Sequence, residues 1–209
     1  MPTLDRRQFS PSAARNRDPI LAVLQRVLPG AGLVLELGSG TGEHAVHFAR
    51  HLSALRWLPS DADPAAMASI TDWVAHGALS NVLPPLCFDL AATPWPVDAA
   101  DAIVAINVLH YSPRETTPAL FAGAAEVLPA GGVVVCYGPY RRGGAHTAPS
   151  NAEFDEWLRS IDARFAVRDL EAVEAEAQRC GFVLEEVVDM PANNLSLVFR
   201  RRAGREAGA

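Results

Sequence analysis

The hydrophobic pattern alternates between short unbroken apolar runs and longer stretches with helical spacing. Residues 33–37, 101–107 and 133–137 are runs of the first kind, centred on Leu, Ile and Val. Such runs are the signature of strands buried on both faces of a parallel sheet. Between them, Ala45, Val46, Phe48 and Ala49 recur at helical spacing over 43–50. Asp18-Pro19 offers an N-cap and a first-turn proline, so a helix is expected from there to Leu28, ended by Pro29-Gly30. Further strands are expected at 55–61 and 81–90, the latter at an edge because it holds two prolines. Further helices are expected from Pro64 to Trp73, from Pro118 to Leu128, over 151–162 and over 169–180. The last elements are strands at 182–190 and 195–201, joined by the short turn 191–194 and therefore antiparallel. Residues 138–150 show no periodicity and are expected to be a loop, a length that usually marks function.

The first strand runs into Gly38-Ser39-Gly40-Thr41-Gly42 and then into the helix at 43–50. Strand, glycine turn and helix make half of a βαβ unit, with unpaired N–H groups at the helix start able to hold a nucleotide-like ligand. Spacing narrows the ligand. A dinucleotide fingerprint requires its third glycine where Glu43 stands, and no P-loop Lys-Ser or Lys-Thr follows. The run resembles the first motif of class I S-adenosylmethionine (SAM) dependent methyltransferases, an apolar strand, an acid and G-x-G-x-G. That resemblance assigns Glu36 as the motif acid, and Gly38, Ser39 and Gly40 to the cofactor.

Asp61 lies 21 residues after Gly40, at the tip of the second strand, where an acid holds a ribose hydroxyl pair. Asp63 competes for that role, although Asp63-Pro64 also has the form of a helix start. At the end of the third strand, Asp89 with Leu90 matches the methyltransferase position that receives the adenine amine; the other reading of Asp89 is a turn aspartate. Asn107, at the exit of the fourth strand, faces the same cavity as the glycine turn, because ligands of open α/β sheets lie beyond the carboxyl ends of the strands.

Composition restricts the class further. The net charge of −6 disfavours a general nucleic-acid binder and is ordinary for an enzyme of small molecules. Cys87, Cys136 and Cys180 are odd in number and lack metal spacing, so neither a disulfide framework nor a metal is expected. No apolar run reaches the roughly 18 residues of a membrane span, and no signal-peptide pattern opens the chain, so a cytoplasmic location is expected. Oligomeric state is not legible.

Acceptor chemistry is sought on the loops after strands four and five. His110 is either a general base or a packed loop histidine. Tyr111, Tyr137 and Tyr140 either wall a pocket or belong to the core. Arg141 and Arg142 either hold an acidic group of the acceptor or form a solvated turn. His146 joins them in an expected second cavity, partly apolar, lined by His110, Tyr140, Arg141, Arg142 and His146 and opening onto the methyl group. Arg15 and Asn16 either fold over the SAM carboxylate or cap the first helix, and His44 and His47 are read as cofactor contacts or packing rather than metal ligands.

Six separated stretches, 12–21 (SAARNRDPIL), 38–48 (GSGTGEHAVHF), 138–142 (GPYRR), 147–151 (TAPSN), 168–170 (RDL) and 190–195 (MPANNL), together resemble the DUF938, or methyltransferase-like 26, family. The resemblance spans nearly the whole chain. It implies an α/β fold with a seven-stranded, Rossmann-like class I methyltransferase sheet, mostly parallel, closed by a C-terminal antiparallel hairpin, with helices on both faces. It implies one SAM-binding domain over 1–209, with 1–17 as an N-terminal arm. It implies SAM as methyl donor and S-adenosylhomocysteine as product, but no substrate. The strand-four exit Asn107-Val108-Leu109-His110 is not the Asn/Asp-Pro-Pro-Tyr of amino methyltransferases, and no ordered set of acids at the strand tips suggests a metal site, so a small-molecule acceptor at O, N or S is expected. The alternatives are a SAM-binding protein without catalysis and a nicotinamide-dependent oxidoreductase.

Overall fold

The computed structural model describes residues 5–203, so the first four residues of the expected arm fall outside it. In chain order the elements begin α1 (Pro11–Val27), β1 (Gly32–Leu37), α2 (Glu43–His51), β2 (Leu55–Asp61), α3 (Pro64–Gly77), β3 (Leu86–Cys87) and β4 (Ala102–Ile106). They continue α4 (Thr116–Val127), β5 (Val133–Gly138), β6 (Tyr140–Arg142), β7 (Ala145–His146) and α5 (Pro149–Ile161). The chain closes with β8 (Arg168–Asp169), α6 (Leu170–Arg179), β9 (Phe182–Met190) and β10 (Asn194–Arg201).

Seven strands form one sheet in the order β3-β2-β1-β4-β5-β10-β9. The pairs from β3 to β5 are parallel, while β10 runs antiparallel to both β5 and β9. The order reverses between β1 and β4, which puts a crevice at their carboxyl ends. Alternation along each strand divides the core in two. Leu35, Ile103, Val134 and Leu197 pack on one face with Phe121 of α4 and Val173 of α6. Val34, Val104, Val135 and Val198 pack on the other with Leu24 of α1 and Phe48 of α2. The expected seven-stranded sheet with helices on both faces is therefore the fold. Among the described residues, no helix is long and apolar enough to cross a membrane.

Two expectations are corrected. The first helix starts at Pro11, not at Pro19, which lies inside it. Ser10 is its N-cap, accepting the Ala13 N–H at 3.3 Å. The same cap-then-proline signal occurs at Ser10-Pro11 as at Asp18-Pro19, and the earlier one prevails because it lets Ala13 and Asn16 join the buried face of α1. The described residues before it, 5–10, are tied to α3. Arg6 pairs with Asp72 at 2.7 Å, and the Trp73 indole donates to the Gln8 carbonyl at 2.8 Å. Ser10→Ala removes the cap and is expected to lower unfolding free energy by about 1 kcal/mol in urea titrations.

The second correction concerns 138–150. In place of a loop, β6 and β7 form a hairpin whose other edge takes β8 in parallel, giving a three-stranded sheet. Arg142 faces Ala145 across Gly143 and Gly144, both at positive φ (57° and 78°). A two-residue Gly-Gly turn between strands is a hairpin signal, and strands of two or three residues are too short to show periodicity.

Candidate functional site

Two cavities open beyond the carboxyl ends of the parallel strands. The larger, about 730 Å³, is bounded by Gly38 after β1, Asp61 at the end of β2, Phe88 and Asp89 after β3, and Asn107 after β4. Leu90, Val108 and Phe165 add apolar wall. The smaller, about 380 Å³, lies beyond β5 and is lined by residues of α1, α5 and the 191–194 turn. Asn107 and Tyr111 belong to both, so the two spaces meet there.

The glycine turn needs its glycines. Gly38, Gly40 and Gly42 all have positive φ (63°, 54° and 91°). A Cβ on Gly38 would stand 2.7 Å from Val108 Cγ2, and one on Gly42 would stand 2.9 Å from the Ile70 Cα. Ser39 is buried and tied to β2, its N–H donating to the Ser60 carbonyl at 2.8 Å. Asp61 braces the turn: one carboxylate oxygen accepts the Gly40 N–H at 2.8 Å and the other the Asp63 N–H at 2.9 Å. Asp63 instead caps α3 through the Ala65 N–H and does not line the cavity. Asp89 does two things at once, accepting the Ala91 N–H at 2.9 Å in a turn while lining the cavity.

Of the expected cofactor residues, Gly38, Asp61, Asp89, Leu90 and Asn107 share the larger cavity, whereas Glu36, Ser39 and Gly40 are not among its walls. Glu36 points into the core, 1% exposed, and accepts the Trp57 indole N–H. Burial pushes its carboxyl up to about 8, against the indole hydrogen bond that lowers it.

The acceptor-side expectations divide more sharply. His110 lines the smaller cavity but is 2% exposed. Burial, with the nearby Arg168 charge, pushes its pKa down to about 3, so it is a neutral imidazole with little power as a general base at neutral pH. A Cβ on Gly138 would come 2.6 Å from this ring, so the glycine makes room for it. Tyr140 is a core residue, 2% exposed, and does not reach either cavity. Strand alternation sends it inward and Arg141 the other way, where the guanidinium donates to the Val167 carbonyl. Arg142 is exposed and faces Asp189 at 3.5 Å. His146 turns its Nε2 to the buried Asp155 at 3.4 Å. Of the five residues expected to line one cavity, His110 alone lines the smaller cavity; Tyr140, Arg141, Arg142 and His146 are not among its walls.

A model of the protein family described as "Protein of unknown function (DUF938)" matches residues 7–201. The chain belongs to the DUF938 family. Among solved structures, this DUF938 chain is similar to an O-methyltransferase family protein from Burkholderia thailandensis, 18% identical, with 92% of this chain and 58% of that one covered and a TM-score of 0.79. It is similar to the mitomycin 7-O-methyltransferase MmcR, 16% identical, covering 91% and 54%, with a TM-score of 0.78. CalO1, a methyltransferase in calicheamicin biosynthesis solved with SAH bound, is 20% identical, covering 91% and 54%, with a TM-score of 0.71. At this identity the likeness is one of fold, and the chain spans a little over half the length of each of these proteins.

The smaller cavity of the DUF938 chain joins residues singled out in the sequence, Arg15 and Asn16, to others that were not, Phe154 among them. Arg15 and Asn16 lie on its wall from within α1, rather than capping that helix. Asn16 Oδ1 sits 2.8 Å from Nε2 of His44, whose ring stacks on Phe48 and whose pKa is pushed down to about 4 by burial. Asn151 and Phe154 come from α5, and Asn194 from the start of β10. Asn151 and Asn194 stand in two of the family-like stretches, and Phe154 follows Asn151 by three residues, hence on the same helix face. Tyr111, 42% exposed, stands edge-on to Phe154, Trp157 and Phe165 at 6.1, 6.1 and 6.2 Å between ring centres.

Proposed function

We propose that the protein is a SAM-dependent methyltransferase acting on a small-molecule acceptor. The observation that carries this reading is the junction of two cavities at Asn107 and Tyr111, beyond the strand ends where the sheet order reverses. The donor set of the larger cavity fits an adenosine. Asp61 offers carboxylate oxygens for ribose hydroxyls, Asp89 an acceptor for an amine, and Phe88, Leu90 and Phe165 apolar walls for a purine. When bound, SAM supplies an electrophilic methyl group on a sulfonium sulfur.

The smaller cavity then takes the acceptor. Its walls join an aromatic patch, Tyr111 and Phe154, to a polar patch, Arg15, Asn16, Tyr137 and Asn194. This arrangement suits a ring-bearing molecule with a polar substituent. Arg15 is the one residue with a full positive charge on the wall, and so the group there able to hold a carboxylate, including the one SAM itself carries. The residues contribute alignment of the acceptor with the methyl group. Neutral His110, its pKa lowered by burial, is suited to a hydrogen bond with the acceptor rather than to proton removal.

Calorimetry with SAM, S-adenosylhomocysteine and NAD tests the cofactor, and labelling of metabolite extracts with radiolabelled SAM tests turnover. Binding of SAM and its product with a labelled small molecule is expected. Binding of NAD without SAM would sink the reading. SAM binding with no fraction ever labelled would leave the non-catalytic binder.

A further inference from the structure

A third cavity, of about 510 Å³, lies beside the three-stranded sheet and shares Glu115 with the larger cavity. Three guanidinium groups face it: Arg114, Arg141 of β6 and Arg168 of β8. Among the described residues, none of the three pairs with a carboxylate. Arg141 gives its Nε and Nη2 to the Val167 carbonyl at 3.2 and 3.1 Å. Arg168 gives Nη2 to the Ser112 carbonyl, and its buried Nε has no partner. Arg114 is exposed.

Three carboxylates face the same space. Glu176 is neutralised by Arg179, which lies outside it, while Asp169 accepts only the neutral Gly144 N–H at 2.7 Å and keeps its charge. Glu115 and Asp169 therefore stand against three arginines, and one positive charge is in excess. Burial lowers the pKa of Arg168, as do the like charges of Arg114 and Arg141, while Glu115 and Asp155 raise it. Val167 and Val173 give the cavity an apolar floor.

We infer that this cavity binds a small anion carrying phosphate or carboxylate groups. Guanidinium forks match the oxygens of both. The site is separate from the two cavities assigned to methyl transfer and does not depend on that assignment.

The test is calorimetry at low salt with two probes, inorganic pyrophosphate and succinate. At least one is expected to bind the wild type, and which one does so separates the phosphate source from the dicarboxylate source. Arg114→Gln is expected to weaken that binding about tenfold or more. Arg168→Lys keeps the charge but loses the planar guanidinium fork, and is expected to weaken it similarly. The Arg114 side chain is exposed and makes no hydrogen bond among the described residues, so its variant decides the matter even if Arg168→Lys is unstable. Arg50→Gln, an exposed residue of α2, is expected to bind like the wild type. The proposal is overturned if neither probe binds, if Arg114→Gln binds unchanged, or if Arg50→Gln weakens binding as much as Arg114→Gln.

Discussion

Glu36→Gln is expected to gain stability over the wild type as the pH rises from 5 to 8. The Glu36 carboxyl is fully buried against Trp57, and burial moves its pKa from 4.5 to about 8. The unfolded chain releases this proton near 4.5, while the folded chain keeps it to about 8. Between those values the unfolded state binds fewer protons, so stability falls as the pH rises, by about 1.4 kcal/mol per unit from this group alone. The stabilisation is complete below 4.5 and lost by about 8, after which the curve is flat. Glutamine has nearly the same shape and a carbonyl oxygen that accepts the Trp57 N–H, but no proton to lose. Urea titrations at pH 5, 6, 7 and 8 on both proteins give the difference directly. A gain of roughly 2–4 kcal/mol for the variant at pH 8 relative to pH 5 is expected. Parallel stability curves would show that Glu36 is not titrating in the core.

That Glu36 turned out to be a core residue shows where motif reading stops. The strand, the glycine turn and the helix were legible because each has a local cause: apolar run, positive φ, helical spacing. The direction of one side chain at the end of a strand is set by its neighbours on the next strand. The Trp57 indole of β2, two residues out of register with Glu36, donates to its carboxyl, and nothing near Glu36 in sequence announces it. Asp61 and Asp63 illustrate the same limit from the other side. Both had the right residue type and nearly the right spacing, and only the helix cap on Ala65 separates them.

The acceptor side was less legible still. The arginines at 141 and 142 were attractive because they sat in an aperiodic, glycine-rich stretch. The Gly143-Gly144 turn folds that stretch into a hairpin, and the hairpin turns Tyr140 into the core and Arg141 toward Val167. The residues that wall the smaller cavity come instead from α1, α5 and the start of β10, which are distant in sequence and meet only once the sheet is assembled. Arg15 and Asn16 were visible as a family-like phrase, but their role depended on α1 starting at Pro11, which makes them helical residues facing the sheet.

The largest expected effect on cofactor binding belongs to Asp61→Ala. Asp61 is half-buried at the end of β2, lines the larger cavity and holds the Gly40 N–H at 2.8 Å. The substitution removes the carboxylate proposed for the ribose hydroxyls and releases the middle of the glycine turn as well. Hydrogen bonds to a charged group contribute about 1.5–3 kcal/mol, so SAM and S-adenosylhomocysteine should each bind roughly 10- to 150-fold more weakly. Asp61→Asn keeps an oxygen for Gly40 but loses the charge, and is expected to fall between the two. Asp63→Ala is the companion. It loses the α3 cap, about 1 kcal/mol of stability, and should leave both dissociation constants within about twofold. Calorimetry on all four proteins, each checked for an unchanged urea midpoint apart from the cap effect, separates turn support from ligand contact. If Asp61→Ala binds SAM like the wild type while Asp63→Ala does not, the ribose belongs to Asp63. If neither substitution matters, the cofactor does not use the end of β2, and the cavity beside it has to be assigned to another ligand.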